Sequence, residues 1–118
     1  MNVKRGDVVI VEFPFASGME SKRRPCVVIQ NDRNNARLHN VIVAQMTTRL
    51  QPPNEPTRLL IDIQTPDGKM TGISRTSFVS CENLVTVEKS LIHERTGVLS
   101  PKLVEALNKC LKASLALD

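Results

Sequence analysis

Arg24 stands directly before Pro25 at the end of a basic triplet, Lys22-Arg23-Arg24, and the chain then runs through Cys26-Val27-Val28-Ile29 into a polar turn, Gln30-Asn31-Asp32. A residue that precedes proline is driven from the helical region into an extended one, so this order fixes a guanidinium at the mouth of a strand. Such a group meets a phosphate with two parallel hydrogen bonds, which points to nucleic acid or another phosphorylated ligand. Thr47-Thr48-Arg49 ends an apolar run and offers two hydroxyls and a further guanidinium. Glu20, four residues before Arg24, either orients that arginine or faces solvent. The cysteines Cys26, Cys81 and Cys110 form no Cys-x-x-Cys pair, and His39 and His93 have no ligand neighbour at helical spacing. Neither a metal site nor another cofactor is expected.

The elements that must hold these groups read as short strands and one helix. Val8 to Phe13 is β-branched and follows a Gly-Asp turn, so it predicts a first strand ended by Pro14. Residues 14–24 read as a polar loop, Cys26 to Gln30 as a second strand, and residues 31–40 as a turn-rich connection. Val41 to Thr47 predicts a third strand whose alternation puts Val41, Val43, Gln45 and Thr47 on one face. Pro52, Pro53 and Pro56 exclude a central strand over residues 50–57. Arg58 to Ile63, Gly72 to Val79 and Leu84 to Val87 complete the strands. Ser100 as N-cap, Pro101 in the first turn and apolar residues at 103, 104, 107, 110, 111 and 115 predict a terminal amphipathic helix. The fold class is therefore mainly β, a small barrel or curled sheet closed by a helix.

A chain of 118 residues with 41% hydrophobic content suits one domain over residues 1–118. Aromatic residues make up 3%, with neither Tyr nor Trp, which excludes base stacking on such platforms. The formal charge is +4, and the whole surplus lies in residues 1–50, which carry eight Lys/Arg against four Asp/Glu. That imbalance favours a polyanionic partner for the N-terminal half. With no hydrophobic leader and no apolar run near ~20 residues, a soluble cytoplasmic protein with reduced cysteines and no membrane partner is expected.

Five blocks occur in a telling order: Arg5-Gly6-Asp7-Val8, Gly18-Met19-Glu20, Arg24 to Asp32, Val41 to Thr47, and Cys81-Glu82-Asn83-Leu84-Val85-Thr86-Val87-Glu88-Lys89. Together they closely resemble the MazF/PemK family of toxin-antitoxin ribonucleases over nearly the whole chain. The resemblance implies an SH3-like, CcdB-related barrel that forms a homodimer. It also implies metal-independent, sequence-selective cleavage of single-stranded RNA, and a cognate antitoxin whose acidic, extended tail lies across the substrate groove.

On this resemblance the catalytic roles fall on Arg24 and Thr47, with Glu20 and Glu82 as possible support. RNA contacts are implied for Lys22, Arg23, Thr48, Arg49, Arg75 and Ser80. Some family members carry an Arg-Cys pair where this chain reads Ser80-Cys81, so Arg49, Arg23 or Arg75 would have to supply that cation. A non-catalytic binding toxin on the same scaffold, like the gyrase-poisoning branch, is the alternative, as is a decayed member that retains only RNA or antitoxin binding.

Overall fold

Both faces of the sheet are apolar, and this shapes the molecule. In the computed structural model, which describes residues 1–14 and 21–118, six strands form one antiparallel sheet in the order β4-β5-β3-β2-β1-β6. The strands are β1 (Asp7–Pro14), β2 (Ser21–Val28), β3 (Asn40–Thr47), β4 (Arg58–Ile61), β5 (Ser77–Glu88) and β6 (Ile92–Val98). Short helices α1 (Asp32–Arg37) and α2 (Pro66–Lys69) lie between strands, and α3 (Pro101–Leu115) follows the last one.

Side chains alternate along a strand, so each apolar run feeds two cores at once. Val8, Val27, Ala44, Met46, Ile61 and Val79 pack on one side with Leu107 and Cys110 of α3. Val9, Val11, Cys26, Val28, Val41 and Val43 pack on the other, where Val3, Val87 and Ile92 close over them. This is the mainly β curled sheet with a C-terminal helix that the sequence predicts. No helix among the described residues is long and apolar enough to cross a membrane.

The helix α3 forms as its sequence dictates. The Ser100 hydroxyl accepts from the Leu103 N–H at 3.2 Å, Pro101 occupies the first turn, and Ala116 ends the helix in the left-handed region.

Elsewhere three expectations need correction, and one strand lies where none was assigned. β2 begins at Ser21, so Lys22, Arg23 and Arg24 are strand residues rather than loop, recruited by pairing with β1 down to Pro14↔Ser21. Residues 31–40 contain α1, whose cap is the Asn31 side chain accepting from Asn34 N–H at 2.8 Å. The two late strands are one long β5, and residues 72–76 lie outside it. The hydrophilic segment Ile92 to Val98 is the edge strand β6, held by a twice-shifted register against β1.

Because Leu107 is 0% exposed beneath the sheet, Leu107→Ala should cost about 2–5 kcal/mol of stability, measured by urea unfolding. An unchanged midpoint would contradict the packing of α3 described above.

Candidate functional site

β2 and β3 pair through Cys26↔Gln45, Val27↔Ala44 and Val28↔Val43, and the ladder stops there. The next residue is Pro25, which has no N–H to donate. Carried two steps past that break, the same register sets Arg24 across from Thr47. β3 then pairs with β5 through Gln45↔Ser80 and Thr47↔Phe78, and β5 with β4 through Arg58↔Ser80 and Leu60↔Phe78. Residues directly opposed in a sheet share a face. Arg24, Thr47, Phe78 and Leu60 thus form one row, and Cys26, Gln45, Ser80 and Arg58 form the row beside it.

Arg24 is half-buried, and among the described residues no carboxylate lies within ion-pair distance of it. Burial pushes the neighbouring Cys26 thiol up to about 12, against the opposing pull of the Arg24 charge. Thr47 Oγ1 accepts from the Arg49 N–H at 3.1 Å, which orients the hydroxyl and leaves its O–H able to donate. The arrangement offers a cation and a hydroxyl donor on either side of an unladdered gap, the parts needed to bind a phosphodiester.

The remaining predicted residues divide between faces. Lys22 is exposed on the same face as Arg24, whereas Arg23 alternates to the opposite one and meets Glu12 at 3.5 Å in an exposed pair of little energetic weight. Thr48 and Arg75 line a separate cleft of about 310 Å³ with Ile10, Pro25, Ile73 and Ser74, and Ile10 and Pro25 alternate away from Arg24. Arg49 is exposed just past β3. Ser80 is 3% exposed in the middle of β5, so its side chain packs within the sheet and presents no surface for the predicted RNA contact. Glu20 lies outside the described residues.

Glu82 sits where Ala44↔Leu84 gives way to Gln45↔Ser80, so Cys81, Glu82 and Asn83 bulge from β5 with no partner on β3. Its carboxylate accepts from Thr57 Oγ1 at 2.6 Å and from the Arg58 guanidinium at 3.1 Å. These two hydrogen bonds, Thr57 first, hold its pKa below the ordinary value, so it is a weak proton acceptor and serves as counter-ion to Arg58. Arg58 and Thr57 are the residues the sequence reading missed. Their only local signal is Pro56-Thr57-Arg58 opening a strand after a proline-rich loop.

The Gln30-Asn31-Asp32 block is structural. Buried Gln30 donates to Asn35 Oδ1 at 3.0 Å and to the Asn40 carbonyl at 2.9 Å, while Asn35 donates back to the Gln30 carbonyl. Asp32 accepts from the Arg5 N–H at 2.7 Å, and that bond holds its carboxyl low. Among the described residues no His, Cys, Asp and Glu side chains cluster as a metal-binding group.

Residues 4–115 match the family described as PemK-like, MazF-like toxin of type II toxin-antitoxin system. The chain is similar to Endoribonuclease EndoA of Bacillus subtilis, 32% identical over 118 residues and covering 99% of this chain and 97% of that protein. It is also similar to Endoribonuclease MazF of Staphylococcus saprophyticus, 31% identical over 116 residues and covering 98% and 92%. Its fold is that of a mycobacterial endoribonuclease solved in complex with its cognate antitoxin, at TM-score 0.79, 20% identity, 98% of this chain and 97% of that one. A MazE–MazF structure from Deinococcus radiodurans gives TM-score 0.78 at 16% identity, covering 100% and 99%.

Glu82 should titrate below 4.5 by carboxyl NMR, with Thr57→Val and Arg58→Met each moving it upward. Since its folded pKa is depressed, its stabilising contribution is present at neutral pH and lost as pH falls through the folded value. A wild-type midpoint at or above 4.5 would contradict the pairing.

Proposed function

We propose, because this chain belongs to the PemK-like, MazF-like toxin family of type II toxin-antitoxin systems, that it is a sequence-selective endoribonuclease acting on single-stranded RNA. The observation that supports this reading is the Cys26↔Gln45 register, which, extended two residues past the break at Pro25, leads to Arg24 and Thr47 on one face of the sheet. RNA brings its own nucleophile, so the protein has only to align the 2′-OH with the adjacent phosphorus and stabilise the more anionic phosphorane. The 2′-oxygen bonds to phosphorus and loses its proton, and the 5′-oxygen leaves and gains one. The products are a 2′,3′-cyclic phosphate and a 5′-hydroxyl.

Arg24 strengthens its hold as charge builds on the phosphoryl oxygens, which lowers the barrier rather than merely binding substrate. Thr47 donates a hydrogen bond to the phosphate or positions the 2′-OH. Lys22, on the same face, and Arg49, beside Thr47, extend the positive surface along the strand of RNA. In this reading the toxin occupies one domain over residues 1–118, works in the cytoplasm as a homodimer without cofactor, and is neutralised by an antitoxin whose acidic, extended tail competes for the same cations.

Incubation with a long, mixed-sequence RNA in EDTA should give discrete cuts with 5′-hydroxyl ends. Arg24→Ala should fold normally and cut about 10²–10³-fold more slowly, and Thr47→Val should also lose rate. Intact RNA from folded wild type, or an Arg24→Ala variant that cuts at the wild-type rate, would overturn the reading in favour of a toxin that acts by binding.

A further inference from the structure

Among the described residues one buried side-chain nitrogen or oxygen lacks a hydrogen-bond partner, the Nε of Arg58. Buried polar atoms are almost always satisfied, and an orphan on a cation is costly enough to call for an explanation. The rest of this guanidinium is held: one terminal nitrogen donates to Glu82 Oε1 at 3.1 Å, and the other reaches the Gln51 carbonyl at a long 3.4 Å. Its side chain is 19% exposed, against 54% for Arg23 and Arg95 in their ion pairs. Arg58 is therefore an aimed cation with one donor unspent.

Its place in the sheet says what the donor faces. Arg58 shares a row with Gln45 and Ser80 and lies on the same face as Arg24 and Thr47. β2 and β4 are separated by β3 and β5, so three strand spacings, roughly 14 Å, divide the two arginines. A polyanion crossing the strands meets both. Other cations are differently engaged: Arg5 is bound to the Ile29 carbonyl and Asn108, Arg23 is on the opposite face, and Arg75 lines the separate cleft.

We infer that Arg58, positioned by Glu82 and Thr57, binds a backbone phosphate of the RNA strand away from the scissile one, and supplies the second cation of the site. The inference rests on the ribonuclease reading above and adds a substrate contact to it. On binding, a phosphate oxygen accepts from the unspent Nε, and the Gln51 carbonyl, held only at 3.4 Å by a terminal nitrogen and part of an exposed loop, moves aside to admit it. Glu82 keeps its hold and sets the direction of the fork. The cation sought at position 80 thus comes from the strand paired with it.

The test uses a mixed-sequence 2′-O-methyl RNA, which has no free nucleophile, with binding followed by fluorescence anisotropy over a range of salt. Arg58→Gln should weaken binding about tenfold or more and reduce the slope of log affinity against log salt by about 0.7. Arg58→Lys keeps the charge and the stem, so it should hold the slope and lose affinity severalfold. Arg58→Gln or Arg58→Lys binding like wild type, while wild type still cuts ordinary RNA, would overturn the inference and leave the ribonuclease reading standing. Folded wild type that neither binds nor cuts would overturn both.

Discussion

Pro25 has no N–H to give to β3, and the position of the whole site follows from that missing donor. Up to Cys26 the two strands are laddered and buried, and beyond it no ladder joins them. β2 nevertheless continues, because β1 pairs with it past Ile10↔Pro25 as far as Pro14↔Ser21. One neighbour holds the strand while the other lets go. Arg24 is thus carried by a rigid element to the edge of a gap, where its charge is half-desolvated and free of a competing carboxylate among the described residues. A ladder through Arg24 and Thr47 would place the same side chains across a closed sheet.

Rigidity behind that gap comes from a clasp at the far end of β2. Arg5 donates to the Ile29 carbonyl and to Asn108 of α3, while its N–H reaches Asp32 at the start of α1. Gln30 and Asn35 exchange hydrogen bonds with each other. The N-terminus, α1 and α3 are thereby tied to the strand that carries Arg24, with the two apolar cores on either side. Polar residues near a nucleic-acid motif need not touch nucleic acid, and here Gln30 and Asp32 serve the fold.

What could be read from the sequence follows from how local each determinant is. α3 was legible because its cap, proline and stripe all lie within it, and β1 and β3 because their apolar runs are nearly unbroken. The first half of β2 was not, since Lys22 to Pro25 has every mark of a loop and is strand only through β1. β6 is charged along an edge, as edge strands often are, and only its shifted pairing reveals it. Arg24 and Thr47 stood out through the proline and the family pattern. Arg58 did not, because its nearness depends on the β4–β5 register, and neither the opposite face of Arg23 nor the burial of Ser80 could be read without strand parity and packing.

The three-residue bulge in β5 also acts as a phase inverter. Before it, odd-numbered Val79 faces the core under α3; after it, odd-numbered Val85 and Val87 face the opposite core. An insertion of odd length exchanges inside for outside, and one of even length does not. Here the neighbouring rungs Ala44↔Leu84 and Gln45↔Ser80 fix the side each flank faces, so the looped-out length sets only what the bulge presents. Removing all three would join Ser80 to Leu84 in plain alternation and keep both cores, but it would delete Glu82, the carboxylate that holds Arg58.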